Sequence, residues 1–131
     1  MIRSRGLTHI QLAVRDVARS VRFYKAVFGM EDKFAPDQTT AFLTTPGRED
    51  ILTLHQGDDR MGVAGTLGGV AHFGFHVEGT EDFEQALLAA EGNGGTVLRR
   101  GTRTTASNPR EPWAFVTDPD GYKVEVYSPT A

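Results

Sequence analysis

An internal repeat constrains the fold of this 131-residue chain more than any other feature of its sequence. The segment GLTHIQLAV at 6–14 aligns without gaps on GVAHFGFHV at 69–77, so His9 and His72 occupy equivalent positions. Both segments alternate apolar and non-apolar residues, which is typical of a strand with one buried face. A repeat on this scale predicts a fold built from two similar modules.

A helix candidate follows each repeated strand. The first, RDVARSVRFYKAVFGM at 15–30, has apolar residues at helical spacing, with Asp16 as the expected N-cap and Gly29 as the expected stop. The second, GTEDFEQALLAAEGNGG at 79–95, has a similar apolar stripe and Thr80 as its expected N-cap. The repeat therefore extends beyond the two first strands.

The remaining segments also match in pairs. TAFLTTPGREDILTLHQ at 40–56 parallels WAFVTDPDGYKVEVYS at 113–128, and each predicts a strand, a turn and a second strand. Short runs at 31–35 and 96–100 fit one further strand per half. We therefore expect an α+β fold in which two tandem βαβββ modules form a half-barrel. The expected organisation is one domain over 1–131, with module 1 (6–56), a Gly-rich linker (57–68) and module 2 (69–128).

Side-chain parity predicts which face of each strand is buried, because successive residues point to opposite sides of a sheet. In the first strand Ile10 and Leu12 form the apolar face, which the amphipathic helix must cover. His9 and Gln11 then lie on the opposite, concave face. The same argument, applied to the other strands, completes that face as His9, Gln11, Thr53, His55, His72, Gly74, His76, Glu125 and Tyr127.

Several of these concave-face residues are candidate metal ligands. Taken singly, a histidine on a polar strand face is more often solvated than bound to an ion. His9 and His72, however, share one register in two equivalent strands, and Glu125 provides a carboxylate in a last strand. Two histidines and one carboxylate are the ligand set of a facial site with open coordination positions. The pattern predicts a divalent ion, with iron, manganese, nickel and zinc as the candidates.

The composition excludes several other classes of site and partner. The chain has no cysteine, so disulfides, thiolate zinc sites and a cysteine nucleophile are ruled out. A net charge of −3 and a pI near 5.8 argue against nucleic acid and anionic membranes as partners. No apolar run has the length of a signal peptide or membrane span, so we expect a cytoplasmic protein. No nucleotide-binding or serine-hydrolase motif is present.

The paired modules resemble the vicinal oxygen chelate superfamily, through the segments LTHIQLAV, RSVRFYKAVFGM, AHFGFHV and FVTDPDGYKVEVY. This superfamily includes glyoxalase I, bleomycin-resistance proteins, fosfomycin-resistance enzymes and extradiol dioxygenases. The resemblance covers nearly the whole chain and implies a glyoxalase-like half-barrel that pairs in a homodimer. It also implies His9, His72 and Glu125 as metal ligands, and a small substrate that binds the ion through two neighbouring oxygens.

At several positions the chain departs from the residues typical of the activities named above, and these departures narrow the range of candidate reactions. Resemblance to glyoxalase I calls for a carboxylate where this chain has Thr53, and His55, two residues on, is the candidate to replace it. Fosfomycin-resistance enzymes carry a threonine where Gln11 stands. Extradiol dioxygenases usually bear a tyrosine where Phe115 lies, so ring cleavage here would need another acid and base. The candidate catalytic residues are His55, Tyr127 and Gln11, with His76 as a further acid–base group.

An arginine-rich segment is a weaker candidate feature. RRGTRTTASNPREPW is expected to be a loop that either brings positive charge to an acidic substrate or is simply solvated, which is the commoner outcome. Trp113 and Phe115 either wall the pocket or pack in the core or an interface. The arginines concerned are Arg99, Arg100, Arg103 and Arg110.

Two function classes stay open. In the first, the protein is a metal-dependent dioxygenase, lyase or isomerase that acts on a small oxygenated substrate. In the second, it is a metal-free protein of the bleomycin-resistance type that binds an antibiotic or another small molecule between its modules. The two classes differ in one expectation: a metal-dependent enzyme needs the two histidines and the glutamate to converge, and a metal-free binding protein does not. The sequence leaves open whether the modules meet within one chain or across a dimer, and whether the site has degenerated.

Overall fold

The protein folds into two four-stranded sheets and two helices, as seen in a computed structural model that describes residues 1–57, 64–65, 70–104 and 110–128. The predicted linker falls mostly outside these residues, and no helix within them is long and apolar enough to cross a membrane. In chain order the elements are β1 (His9–Ala13), α1 (Val17–Phe28), β2 (Glu31–Asp32), β3 (Thr40–Thr44), β4 (Ile51–His55), β5 (Phe73–His76), α2 (Gly79–Gly92), β6 (Thr96–Arg103), β7 (Glu111–Thr117) and β8 (Lys123–Tyr127).

Both sheets have the same strand order. The first sheet is ordered β1-β4-β3-β2 and the second β5-β8-β7-β6. In each sheet the first strand of the module runs parallel to its last strand, and the other neighbouring strands are antiparallel. The α+β fold of two βαβββ modules, predicted from the repeat, is therefore confirmed.

Helix α1 begins and ends at the residues that the sequence predicts. Asp16 has extended backbone, and its carboxylate accepts a hydrogen bond of 3.1 Å from the backbone nitrogen of Arg19. Gly29 closes the helix with φ at 65°, in the left-handed region that favours glycine. Both ends are thus set by local chemistry.

Helix α2 does not begin where the sequence predicts. It starts at Gly79, with Glu78 as the N-cap, so Thr80 lies inside the first turn and the expected Thr80 cap is wrong. The side chain of Glu78 makes no capping hydrogen bond. Glu81 and Asp82 instead place negative charge in the first turn, where the helix dipole stabilises it.

One continuous core spans both modules. Each helix covers the apolar face of its own sheet, and the two helices also contact each other. Phe23 and Tyr24 of α1 are fully buried, as is Phe83 of α2. Phe28 of α1 stacks on Phe75 of β5 with the ring centroids 4.0 Å apart. Aromatic contacts therefore join the first module to the second.

A buried polar network joins the modules beside this core. The Tyr24 phenol donates a 2.7 Å hydrogen bond to Asp118 Oδ2, and Asp118 Oδ1 accepts from the backbone nitrogens of Asp120 and Tyr122. The hydroxyl of Tyr122 donates to the carbonyl of Ala13. Burial, followed by the Asp118 carboxylate, raises the pKa of Tyr24 well above its usual value. The segment DPDG at 118–121, for which the sequence predicts only a turn, thus also holds α1.

Asp120 completes this network. Its side chain is fully buried and forms ion pairs with Arg15 at 3.0 Å and Arg19 at 3.2 Å. The hydroxyl of Ser20 donates to its other oxygen at 3.2 Å. One carboxylate of the second module therefore anchors the beginning of the first helix.

The expected arginine-rich loop is partly strand. β6 extends to Arg103, so Arg99 and Arg100 lie in the strand that the run 96–100 predicts, whereas Arg103, which was expected in the loop, ends the same strand. β7 begins at Glu111. Glycine usually weakens a strand because it offers no side chain to pack. Here Gly101 lies opposite Trp113 in register, and the Trp113 indole occupies the space of the missing side chain. That packing explains why the strand continues through the glycine.

Candidate metal centre

Two candidate ligands of the second module lie side by side. The parallel pairing of β5 with β8 puts Gly74 opposite Glu125, and His72 immediately precedes β5. His72 Nε2 lies 3.6 Å from Glu125 Oε2, and the two side chains are 42% and 28% exposed. An imidazole and a carboxylate therefore face the same open surface.

The separation of these two atoms fits two ligands of one ion. It exceeds the usual N–H···O hydrogen-bond length of about 2.7–3.2 Å. A divalent ion holds nitrogen and oxygen ligands at about 2.0–2.2 Å, which places those ligands roughly 3–3.6 Å from each other. Imidazole and carboxylate are donors that suit iron, manganese, nickel and zinc. His72 and Glu125 therefore fit two of the three predicted ligand positions.

The space beside this pair depends on a glycine. A Cβ atom built at Gly74 would lie 3.1 Å from Glu125 Cβ and 3.1 Å from Glu125 O, closer than an ordinary van der Waals contact. The missing side chain leaves the Glu125 carboxylate accessible. A cavity opens at this point, lined by Gly74, Phe75, His76, Glu125 and Tyr127.

His9 lies on the other sheet. It is the first residue of β1, is exposed, and lines a second cavity together with Phe73 and Gly74. Within the described residues, no three His, Asp or Glu side chains of the single chain converge on one point as metal ligands would. Among the described residues of one chain, the structure thus brings His72 and Glu125 together, and His9 does not join them as a third ligand.

Gln11 and His55 also belong to the first sheet. Gln11 is exposed and lies opposite Thr53, which is only 3% exposed. His55 Nδ1 lies 2.7 Å from the Thr40 hydroxyl, and its ring packs so closely on Gly57 that a Cβ there would lie 2.4 Å from Nε2. His55 is therefore held by groups of its own module, away from the cavity beside Glu125.

Tyr127, two residues beyond Glu125, makes a set of polar contacts on the same face. Its hydroxyl donates to Oε2 of the buried Glu111, and Arg103 Nε lies 3.7 Å from that same oxygen. The Arg103 guanidinium lies over the Tyr127 ring, 4.6 Å from its centroid. The Tyr127 phenol, and to a smaller extent the Glu111 carboxylate, raise the pKa of Arg103. His76 lies beside Tyr127 with the ring centroids 5.4 Å apart.

Strand β7 adds an acidic and two aromatic residues to the concave face. Its register places Phe115 opposite Glu125 and Trp113 opposite Tyr127. The ring of His72 meets Phe115 edge-on, with the centroids 5.0 Å apart. Phe115 therefore borders His72, and Trp113 contacts Phe115 on the same face. Glu111 was missed in the sequence, although the parity of β7 puts it on the same face as both rings.

Comparisons with known proteins agree with this architecture. A family model described as "Glyoxalase/Bleomycin resistance protein/Dioxygenase superfamily" matches residues 6–126. The chain is 31% identical to the probable chloroplastic lactoylglutathione lyase of Arabidopsis thaliana over 93% of its own length, but it spans only 35% of that larger protein. It is 31% identical to the trivalent organoarsenical cleaving enzyme of Bacillus sp. (strain MD1), covering 91% of this chain and 70% of that enzyme.

A further relative and a solved structure match most of both chains. The chain is 30% identical to the lactoylglutathione lyase of Haemophilus influenzae, covering 91% of this chain and 89% of the lyase. A crystal structure of a glyoxalase/bleomycin resistance protein from Albidiferax ferrireducens T118 has the same fold, with a TM-score of 0.72 at 24% identity over 93% of this chain and 97% of that one. The resemblance seen in the sequence is confirmed: this chain belongs to the glyoxalase/bleomycin resistance protein/dioxygenase superfamily.

Proposed function

We propose that this protein is a divalent-metal-dependent enzyme that acts on a small oxygenated substrate. The observation that carries the proposal is the placement of His72 Nε2 3.6 Å from Glu125 Oε2 on an open concave face. Iron, manganese, nickel and zinc suit this donor set. When bound, such an ion supplies a Lewis acid that polarises substrate oxygens.

His9 is the proposed third ligand. It is the repeat equivalent of His72, but it lies at the start of β1 in the other sheet. We infer that His9 reaches the His72–Glu125 pair from a second copy of the chain. A homodimer would then hold two sites, each with ligands from both subunits, and Gln11 and His55 would face the substrate from the same side as His9.

Exposed apolar side chains next to the histidines support this dimer. Leu7, two residues before His9, is 80% exposed, and its equivalent Val70, two residues before His72, is 49% exposed. Removal of apolar surface from water is the main favourable term in most protein association. A second copy that places β1 beside β5 would cover both side chains.

Tyr127 is the proposed proton-transfer residue. Its hydroxyl donates to the buried Glu111 carboxylate, and the Arg103 guanidinium lies over its ring. In the proposed role the hydrogen bond to Glu111 and the contact with Arg103 hold the Tyr127 side chain on the concave face. The Tyr127 hydroxyl would then donate a proton to negative charge that develops on the substrate, and regain a proton when the product forms.

The proposed substrates bind the ion through two neighbouring oxygens. Resemblance to glyoxalase I calls for a carboxylate as fourth ligand at position 53, but this chain has the buried Thr53 there. Coordination positions of the ion are therefore left for the substrate. The relatives of this chain are named a lactoylglutathione lyase and an organoarsenical cleaving enzyme. The reaction we propose is accordingly one of the lyase, isomerase or dioxygenase type.

Metal analysis of protein purified without chelator tests the ligand set. Wild type is expected to hold about one divalent ion per chain, and Glu125→Ala to lose it, because neutral imidazoles alone leave the charge of the ion uncompensated. Thr53→Ala, at the equivalent position of the other sheet, is the matched control and should keep the ion. Equal metal content in wild type and Glu125→Ala would contradict the ligand set.

The same measurement on a mixed dimer tests the sharing of the site between subunits. A dimer of one His9→Ala chain and one Glu125→Ala chain, isolated through two different tags, regains one complete site only if His9 acts across the interface. We expect about one ion in this mixed dimer and none in either parent variant. A mixed dimer without metal would place all three ligands in one chain.

A further inference from the structure

We propose that the concave face of the second sheet holds a subsite for a small planar anion, of which an aromatic carboxylate is the simplest example. Trp113 and Phe115 provide the aromatic surface, and Arg99 and Lys123 provide the positive charge. The proposal rests on the proposed function only in that the subsite adjoins His72, a candidate ligand of the proposed metal ion. Recognition of the ring and of the charge requires no metal ion.

The aromatic surface is built on a glycine. A Cβ atom at Gly101 would lie 2.6 Å from Trp113 Cζ2 and 2.9 Å from Trp113 Cε2, distances that real Cβ atoms do not show. The indole therefore packs directly on the backbone of β6. Trp113 is nevertheless only half-buried, and Phe115 lies beside it with the ring centroids 5.7 Å apart. The remaining ring surface is open to a ligand.

Two cations border these rings. The guanidinium carbon of Arg99 lies 5.3 Å from the Trp113 ring centroid, and Lys123 Nζ lies 5.7 Å from that of Phe115. In the part of the chain that the structure describes, neither cation has a carboxylate within ion-pair distance. A cation–π contact at an exposed site is weak, so a ligand carboxylate can replace it with stronger charge-assisted hydrogen bonds.

The subsite is continuous with the candidate metal centre. Phe115 lies directly opposite Glu125 in the register of β7 and β8, and its ring touches the edge of His72. A ligand ring placed over Trp113 and Phe115 is therefore next to both candidate metal ligands. Substituents on that same ring reach the metal centre without any rearrangement of the sheet.

The chemistry of this surface selects for two ligand features at once. An aromatic ring gains stacking or edge contacts with the indole that a saturated ring does not make. A carboxylate accepts two parallel hydrogen bonds from a guanidinium, which a neutral amide cannot match in strength. The chain as a whole carries a net charge of −3, so it repels anions in general. Among the described residues, Arg99 and Lys123 have no carboxylate within ion-pair distance, so their charges offset this repulsion at the subsite.

Three matched ligands separate these features. Benzoate carries both, benzamide lacks the charge, and cyclohexanecarboxylate lacks the aromatic ring. Trp113 is the single tryptophan of the chain, so its own fluorescence reports occupancy of the subsite. We expect benzoate to bind about tenfold more tightly than benzamide and about fivefold more tightly than cyclohexanecarboxylate. Absence of benzoate binding, or equal affinity for benzoate and either of the other ligands, would overturn the proposal.

Neighbouring arginines on opposite faces of β6 provide the matched variants. Arg99→Gln is expected to weaken benzoate binding about tenfold. Arg100→Gln removes the same charge from a residue that pairs with Glu84 on helix α2, and should change the affinity less than about twofold. Gly101→Ala should displace the indole, shift its emission and also weaken benzoate binding, with an unchanged circular dichroism spectrum. Equal losses in the two arginine variants would overturn the assignment of Arg99.

All titrations are run on chelator-treated protein and on protein loaded with Mn²⁺, so that the two proposals fail separately. Benzoate binding by a protein that takes up no metal supports the subsite and contradicts the proposed enzyme. Metal uptake without benzoate binding supports the proposed enzyme and contradicts the subsite. If benzoate binding requires Mn²⁺ and Arg99→Gln leaves the affinity unchanged, benzoate binds to the ion, and the subsite is overturned.

Discussion

Gln11 and Gly74 occupy equivalent positions of the repeat, and the difference between them determines in which sheet a side chain of the last strand is exposed. In the first sheet Gln11 lies opposite Thr53, which is 3% exposed. In the second sheet Gly74 lies opposite Glu125, whose side chain is 28% exposed. The glycine removes the side chain that would otherwise crowd the carboxylate. Access to the candidate metal centre therefore depends on a residue that carries no functional group.

Gly74→Ala tests this steric role. The added methyl group would lie 3.1 Å from Glu125 Cβ and must displace the Glu125 side chain. We expect metal affinity to fall about tenfold, as it does when groups that support a ligand are changed. Gly92→Ala, at the end of α2 where a Cβ meets no atom within 4 Å, is the control and should leave metal affinity unchanged. Unaltered affinity in Gly74→Ala, measured by competition with a metallochromic dye, would refute the steric argument.

Single residues of the candidate site were predictable only where a local pattern identifies them. His72 and Glu125 follow from strand parity and the repeat, because the two-residue period of a strand determines which side chains share a face. The parity of β7 gives only the face on which Glu111 lies. Its contacts with Arg103 and Tyr127 join three strands, and they follow only when the register between all three strands is known.

At the scale of elements, the two helices differ in how they begin. The Asp16 side chain caps α1, whereas the N-cap of α2, Glu78, makes no capping hydrogen bond and Thr80 lies in the first turn. The strands were predicted well where apolar alternation is regular. The continuation of β6 through Gly101 was not predicted, because Trp113, which packs on that glycine, comes from the neighbouring strand. Propensity alone therefore misjudged an element that a cross-strand contact stabilises.

Asp16→Ala and Thr80→Ala distinguish the capped helix from the uncapped one. The Asp16→Ala variant loses the hydrogen bond to the backbone nitrogen of Arg19, and its free energy of unfolding should fall by about 1 kcal/mol. Thr80→Ala removes no cap, and we expect a change within about 0.5 kcal/mol. Urea unfolding followed by circular dichroism measures both. A loss in Thr80→Ala as large as that in Asp16→Ala would restore Thr80 as the cap.

At the scale of the whole molecule, the two modules are held together by more than a shared apolar core. Tyr24 donates to Asp118, and Asp120 pairs with Arg15 and Arg19, so two buried carboxylates of the second module hold the first helix. The sequence predicts a turn at DPDG, but it does not predict that Asp118 and Asp120 of this turn form a clamp, that is, a set of contacts that hold the first helix. The partners lie roughly a hundred positions away in the chain, and only the assembled fold brings them together.

Tyr24→Phe tests this clamp and its pH dependence. The variant leaves Asp118 Oδ2 without its donor, and we expect the free energy of unfolding to fall by about 1–3 kcal/mol at pH 7. The fold raises the pKa of Tyr24, so in wild type the unfolded chain releases this proton from about pH 10 upward while the native state keeps it. Stability therefore falls as pH rises through that range, and Tyr24→Phe should fall less steeply. Parallel slopes in urea unfolding between pH 8 and pH 11 would argue against the buried phenol.

The contrast between Gln11 and Gly74 has an evolutionary consequence. In the first sheet position 53 is flanked in register by Gln11 and Phe42, so Thr53→Glu alone would bury a charge at a cost of several kcal/mol. Gln11→Gly alone would create space beside Thr53, which is not a proposed metal ligand. Neither substitution alone therefore yields a second carboxylate ligand, so the effects of changes at positions 11 and 53 are expected to depend on each other, which is epistasis.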